Sequence, residues 1–242
     1  MAVRHALQRV VVSIAAPLWV PFTVFYLRFV AGYRVAEVES VRQQFEAVRR
    51  ESDAPLLLCA NHLTLIDSFL IMWALRSPSR LLFDVDSFAW NTPERANFAA
   101  GRVAQTLTYF AKCIPIARGG RREETGEVLQ RVGYLLGQGE LALIFPEGGR
   151  SRSGRVEVES AAWGVGRIVG SVPRCRVLCV YMRGDAQQTW GTAPARGDRL
   201  AVSLACIEPK SDSRGVRRSR DLAQQITRQL ARMEQEYFDG RQ

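Results

Sequence analysis

Short apolar runs alternate with longer amphipathic stretches along most of the chain. Residues 55–60, 141–145 and 177–182 are apolar runs with the length expected of buried strands. The stretches between them repeat their apolar positions at helical spacing. This alternation predicts an α/β fold with a mixed, mainly parallel sheet flanked by helices.

The same pattern gives the expected order of elements. The glycine-rich stretch 161–170 does not decide whether a helix forms, and residues 184–198 are expected to be a mobile loop. Residues 35–242 contain no repeat and no second linker, so they are predicted to form one domain. Further strands are expected over residues 81–85 and 199–207, and helices over residues 38–50, 66–76, 92–111, 121–137 and 219–238.

Residues 1–34 are predicted to be a membrane-associated helical anchor. The 18 residues from 10 to 27 carry no charge and include aromatic side chains typical of membrane interfaces. A straight helix of that length would be about 27 Å long, which is marginal for a span. Pro17 and Pro21 are expected to interrupt it, which favours two short helices in one leaflet over a single tilted span. A cleaved signal peptide is rejected, because the apolar stretch continues well past the small residues at 13–15.

Composition supports a membrane surface as the partner. The 242 residues carry a net charge of +9 at pH 7, almost wholly from arginine. Such an excess suits anionic phospholipid and nucleic acid alike. The chain has no zinc spacing, aromatic–glycine RNA motif or long basic stripe, so no nucleic-acid partner is expected. Five cysteines without paired spacings predict a reducing compartment and no metal site.

His62 and Asp67 are the strongest candidates for chemistry. They follow the apolar run 55–60 and precede a helical stretch, so His62 is expected at the end of a strand and Asp67 in the first helical turn. A carboxylate there is favoured by the helix dipole and orients the imidazole as a base. A structural turn histidine beside a helix-start aspartate is the alternative interpretation.

Two further strand ends carry polar side chains. Residues 141–145 lead into Glu147, Gly148, Gly149 and Arg150, and the apolar run 113–116 leads into Arg118. Glycines expose backbone amides, and arginines have the fork geometry that suits phosphate or carboxylate. Because ligands in α/β folds collect at the carboxyl ends of strands, these groups are expected to share one site.

Together these blocks resemble the glycerolipid acyltransferases, the family of 1-acylglycerol-3-phosphate acyltransferase. Residues 61–67 resemble the family's His-x4-Asp block, residues 113–118 its Gly-Ile-Pro-Ile-x-Arg block, and residues 145–151 its Phe-Pro-Glu-Gly-Thr-Arg-Ser block. The resemblance covers roughly residues 55–184. Cys113 stands in a glycine position, Gly149 stands in a threonine position, and the fourth block lacks its proline.

The resemblance implies a role for each matched residue. His62 would deprotonate an acceptor hydroxyl, and Asp67 would orient the imidazole. Glu147, with the amides around Gly148 and Gly149, would engage the acceptor. The two arginines, Arg118 and Arg150, would hold its anionic head group.

The implied activity is acyl transfer at the cytoplasmic face of the inner membrane. The donor would be acyl-CoA or acyl carrier protein, each a co-substrate, and no cofactor is expected. The acceptor would be a lysophospholipid, with 1-acyl-sn-glycerol-3-phosphate as the default. The departures at Cys113, Gly149 and the fourth block leave open a specialised acceptor, such as a lyso-aminolipid or an aryl-polyene-type lipid. A non-catalytic lipid-binding relative is the second alternative.

Overall fold

A six-stranded sheet organises the fold. The structure, a computed structural model, describes residues 2–84, 86, 88–98, 101–117 and 119–241. The strand order is β1-β6-β5-β2-β4-β3, and only the β5–β6 pair is antiparallel. The predicted α/β fold with a mixed, mainly parallel sheet is therefore confirmed. The strands are β1 Arg34–Val35, β2 Leu56–Ala60, β3 Trp90–Asn91, β4 Ala142–Ile144, β5 Arg176–Gly184 and β6 Arg199–Ile207.

Helices cover both faces of the sheet, so the central strands are apolar at successive positions. In β2, Leu57 and Cys59 belong to one core, whereas Leu56, Leu58 and Ala60 belong to the other. This division follows from the two-residue repeat of a strand. The helices are α1 Ala2–Phe25, α2 Val38–Glu51, α3 Asp67–Leu75, α4 Pro78–Phe83, α5 Arg95–Phe98, α6 Arg102–Phe110, α7 Arg122–Gly137, α8 Trp163–Ser171 and α9 Gly215–Asp239.

Two expected elements differ from those observed. The strand predicted over residues 81–85 is wrong, because helix α4 occupies residues up to Phe83, and residue 85 lies outside the described residues. Ser77 caps this helix by accepting a hydrogen bond from the Arg80 amide at 3.4 Å, and Pro78 stands in its first turn. The single helix predicted over residues 92–111 is two helices, with Gly101 in an extended conformation before α6.

The apolar run at 113–116 forms isolated bridges and no regular strand. Cys113 pairs with Asn91, and Ile116 pairs with Glu94. The prediction of a regular strand before residue 118 is therefore wrong. The segment nevertheless pairs in parallel with residues of the β3 edge of the sheet. The glycine-rich stretch 161–170, for which the sequence does not decide whether a helix forms, lies mostly in helix α8, Trp163–Ser171.

Helix α1 is continuous through Pro17 and Pro21 and is followed by a π-helical turn at Tyr26–Val30. The expected pair of short helices is therefore wrong. Each interior proline costs about 3 kcal/mol, but each large apolar side chain that becomes buried contributes roughly 1.5–3 kcal/mol. The prolines lie on the exposed side of α1, whereas the opposite side is buried against the domain at Val12, Ala16 and Val20.

The outward side of α1 is apolar as well. The segment His5–Val30 has a mean hydropathy of 2.0, and 22% of its most apolar window is buried. By length and composition it is the one described helix that qualifies as a membrane span. Large apolar side chains repeat along its exposed face at Leu7, Val10, Ile14, Leu18, Phe22 and Phe25.

A buried polar network docks the first half of α1. Arg9 forms an ion pair with Glu140 at 2.9 Å, and the fully buried Lys112 ammonium lies 2.7 Å from the same carboxylate. The Trp90 indole also donates to Glu140, at 3.0 Å. Gln8 donates to two backbone carbonyls at the end of α6. The helix is therefore held by specific contacts in addition to apolar packing.

We expect Glu140→Gln to lower the free energy of unfolding by about 3–5 kcal/mol, because it leaves the buried Lys112 charge without its carboxylate. Urea denaturation in mild detergent would measure the change. Glu208→Gln is the matched control, since Glu208 pairs with Lys210 at the surface, where such a pair contributes about 0–1 kcal/mol. Equal effects of the two substitutions would contradict a structural role for the buried network.

Candidate functional site

The imidazole of His62 and the carboxylate of Asp67 are in direct contact. Asp67 Oδ2 lies 3.0 Å from His62 Nδ1, and it also accepts the backbone amides of Leu63 at 2.6 Å and Thr64 at 2.8 Å. Asp67 is the first residue of α3 and is only 3% exposed. With Nδ1–H donated to the carboxylate, Nε2 keeps its lone pair and is available as a base.

The neighbouring strand end fixes the plane of the imidazole. Phe145 follows β4, which pairs in parallel with β2, so it lies beside His62 at the same edge of the sheet. The two rings stack with centroids 3.9 Å apart and planes 15° apart. The Ser151 amide donates to the His62 carbonyl at 2.9 Å and ties the two loops together.

Glu147 contacts the backbone of His62. Its Oε1 accepts the His62 amide at 3.1 Å. Burial raises the pKa of Glu147 to about 8, and the negative charges of Glu234, Glu157 and Asp67 act in the same direction. At neutral pH the carboxyl is therefore mostly neutral, and it can accept from the loop without adding a second buried anion next to Asp67.

The glycines that follow shape the turn. Gly148 has φ +69°, a conformation that side chains rarely adopt, and a Cβ there would meet the Ala162 side chain at 3.2 Å. Gly149 lines the cavity beside His62. The chain after β4 can therefore turn back across the end of the sheet.

Arg150 reaches the loop that follows β5. Its Nη1 donates to the Gly191 carbonyl at 2.8 Å, and its guanidinium lies 4.6 Å from the centre of the Trp190 ring. Arg150 also lines the cavity, together with Arg152. The other predicted arginine, Arg118, lies outside the described residues.

Sequence reasoning missed three contributors to this site. Asn61 exchanges two hydrogen bonds with the backbone of Met182, which aligns the ends of β2 and β5. Arg152 and Trp190 stand at the cavity. Asn61 directly precedes His62 and ends an apolar run, and a polar residue in that position could have indicated a role at the end of the strand. Trp190 lies 128 residues from His62, and no local pattern relates the two.

The loop expected to be mobile is hydrogen-bonded to the loop after β2 and to the loop after β4. The Gly191 amide donates to the Leu63 carbonyl at 2.9 Å, and the Thr189 hydroxyl donates to the Arg152 carbonyl at 2.9 Å. The buried guanidinium of Arg183 donates to the carbonyls of Gly154, Gln187 and Gln188. These bonds hold Trp190 against the site.

His62 faces a cavity of about 550 Å³ that extends beneath α1. The polar end carries His62, Arg150 and Arg152. The remainder is mainly apolar, and α1 forms one of its walls. Its lining includes Trp19, Val20, Thr23 and Val24 from α1, Leu27 from the π-helical turn after α1, Phe69, Met72 and Trp73 from α3, and Ala104, Leu107 and Thr108 from α6.

The cysteine thiols are poorly suited to act as nucleophiles. Burial raises the pKa of Cys113 and of Cys179 to about 12, and that of Cys175 to about 11. The thiolate is the reactive form, so these groups remain inert at neutral pH. Among the described residues, no group of three or more His, Cys, Asp or Glu side chains has the arrangement of a metal site.

Residues 34–183 match the sequence model of the Acyltransferase family, which is more than half of the chain. The chain belongs to the Acyltransferase family. The match contains His62, Asp67, Glu147 and Arg150, and it confirms the resemblance seen in the motifs. A search of curated proteins gives no match. In acyl transfer the attacking acceptor group gives up a proton, which is a step that a general base can assist.

The raised pKa of Glu147 predicts a pH-dependent contribution to stability. The unfolded carboxyl titrates near 4.5 and the folded one near 8, so the folded state binds the proton more tightly. This contribution is fully present below pH 4.5 and is lost as the pH rises through 8. Glu147→Gln keeps the acceptor for the His62 amide and removes the titration.

We therefore expect the unmodified protein to lose a few kcal/mol of unfolding free energy between pH 5 and pH 9 that the Glu147→Gln variant does not lose. Thermal or urea unfolding at a series of pH values would measure this difference. Parallel pH profiles for the two proteins would contradict the raised pKa.

Proposed function

We propose that this acyltransferase transfers a fatty acyl group from acyl-CoA or acyl carrier protein to the free hydroxyl of a lysophospholipid. The proposed acceptor is 1-acyl-sn-glycerol-3-phosphate, and the product is phosphatidic acid. The observation that carries the proposal is the oriented His62–Asp67 pair, which opens onto an apolar cavity with arginines at its polar end.

In the proposed reaction, His62 Nε2 takes the proton of the acceptor hydroxyl while the oxygen attacks the thioester carbonyl. The tetrahedral intermediate collapses to an ester, and the leaving thiolate takes up the proton from the imidazolium. The buried Asp67 carboxylate stabilises that imidazolium and holds its orientation. Because the hydroxyl attacks directly, no acyl-enzyme is formed, in keeping with the high pKa values of the buried thiols.

The acceptor phosphate is proposed to bind at Arg150 and Arg152, which line the cavity, and the motif resemblance implies the same role for Arg118. Arginine side chains bind phosphate through paired donors, and Arg150 is already oriented by Gly191 and Trp190. Gly148 and Gly149 would present backbone amides to the glycerol portion, and Glu147 would hold the His62 loop. The acyl chain of the thioester donor would occupy the apolar part of the cavity, between α1 and α6.

The membrane is proposed to contact the outward face of α1. This face carries large apolar side chains from Leu7 to Phe25, and α6 adds exposed Val103 and Leu107. The inner face of α1 is engaged by the domain, so an in-plane position keeps the cavity closed, whereas a span would remove one of its walls. We propose attachment at the cytoplasmic face of the inner membrane, where the net positive charge meets anionic lipid.

A specialised lipid acceptor is a second candidate, and one observation favours it. Cys113 and Gly149 are two positions that depart from the family pattern, and both line the cavity. Changes at the cavity wall alter which acceptor fits. Purified protein incubated with thioester donors and a panel of lysolipids, with products followed by mass, would separate the two candidates and would also test for a non-catalytic lipid-binding relative.

His62→Ala is expected to reduce the transfer rate by about 10²–10⁴-fold, because the base is lost. Asp67→Asn is expected to cause a comparable loss through the wrong tautomer and an unstabilised imidazolium. Asp212→Asn, at an exposed loop position, serves as the control. Near-normal turnover by a folded His62→Ala protein would exclude the mechanism.

Ala104→Trp is expected to shift donor preference toward shorter acyl chains, because the indole would occupy part of the cavity from α6. Rates with a series of thioesters of increasing chain length would measure the shift. The adjacent Val103→Trp is the matched control, since Val103 is 75% exposed and points away from the cavity. If both variants keep the original preference, the acyl chain does not bind in this part of the cavity.

A further inference from the structure

A second cavity lies between α2, the end of α3 and the start of α4. It has a volume of about 380 Å³, and none of the described residues that line it also lines the cavity at His62. Its charged side chains are those of Arg42, Arg50, Arg76, Arg80, Glu39 and Glu46. We call this second cavity the arginine groove.

Arg76 is the buried centre of the arginine groove. The side chain is 1% exposed, stacks over the Phe45 ring at 4.7 Å, and donates through Nη1 to Glu46. Its Nε and Nη2 atoms are buried and have no hydrogen-bond partner. Buried guanidinium donors are rarely left unmet in folded proteins, so these two nitrogens point to an acceptor that completes the site.

Arg42, which also lines the arginine groove, adds a third unmet donor. Its Nη1 binds Glu39 at 3.0 Å and its Nη2 donates to the Trp73 carbonyl at 3.2 Å, which fixes the guanidinium. The buried Nε has no partner. Two immobilised guanidinium groups that line one cavity thus carry three unmet donors, and paired guanidinium donors suit the oxygens of an anion.

The charge of the arginine groove indicates which anion fits. The four arginines exceed the two glutamates by two positive charges, and the exposed Arg50 and Arg80 stand at its rim. A phosphate monoester carries between one and two negative charges at neutral pH and offers three acceptor oxygens. We propose that the arginine groove binds a phosphate monoester group. This proposal does not depend on the reaction at His62.

The phosphate could belong to a soluble compound or to the head group of phosphatidic acid in the membrane. Helix α4 carries Arg80 and also packs against α1, whose outer face is apolar. A membrane in contact with α1 would therefore lie close to one wall of the arginine groove. The two sources are separated by the probe used in the experiment.

The test compares two double variants that remove the same charge. Arg50→Gln with Arg80→Gln changes only the exposed rim of the arginine groove, whereas Arg217→Gln with Arg232→Gln changes exposed arginines on α9. The unfolding temperature of each detergent-solubilised protein is followed during titration with inorganic phosphate. Co-sedimentation then compares phosphatidylcholine vesicles with and without phosphatidic acid. Arg42→Gln removes one of the three unmet donors and provides an independent third variant.

We expect phosphate, or phosphatidic acid in vesicles, to bind at least about tenfold more weakly to the rim variant and to Arg42→Gln than to the α9 control. Stabilisation by free phosphate would identify a soluble ligand, and a response to phosphatidic acid vesicles alone would identify a lipid head group. The proposal is overturned if the rim variant and the α9 control respond equally to both probes. In that case water satisfies the buried guanidinium donors.

Discussion

The contacts of the Asp67 carboxylate are the constraint on which the site depends. One carboxylate oxygen lies 3.0 Å from His62 Nδ1. The same oxygen accepts hydrogen bonds from the consecutive backbone amides of Leu63, at 2.6 Å, and Thr64, at 2.8 Å. The amides fix the carboxylate before any substrate binds, so the imidazole is oriented at no later cost. The loop that supplies them exists because β2 ends at Ala60 and α3 begins at Asp67.

Parallel pairing explains why the remaining groups meet there. Strands β4 and β5 flank β2 and run in the same direction, so their carboxyl ends deliver Phe145, Glu147 and Arg183 to one edge. Asn61 then joins β2 to β5 through the Met182 backbone, and Ser151 joins the loops after β2 and β4. The geometry of the site is thus a consequence of sheet register together with a few polar contacts.

The sequence predicted those features that depend on local pattern. The central strands, helices α2, α7 and α9 and the strand β6 follow from apolar periodicity, and the His62–Asp67 contact followed from a strand, a turn and a helix start. The continuity of α1 could not be predicted in this way. Pro17 and Pro21 are local signals for a break, and long-range packing outweighs them. The short helix α4 was also missed, since its apolar residues fit a strand and only the Ser77–Pro78 start distinguishes them.

Helix α1 contributes more directly to the cavity at His62 than its sequence indicated. As an anchor it was expected to deliver the enzyme without contributing to the site, yet four of its residues line the cavity at His62, and Leu27 of the π-helical turn that follows also lines it. Its polar half is bound to the domain through Glu140, and that carboxylate is shared with the buried Lys112. Moving α1 away from the domain would break the Arg9–Glu140 ion pair and expose the apolar cavity to water. The same helix therefore has two apolar faces: one closes the cavity, and the other is the face that the proposed function places against lipid.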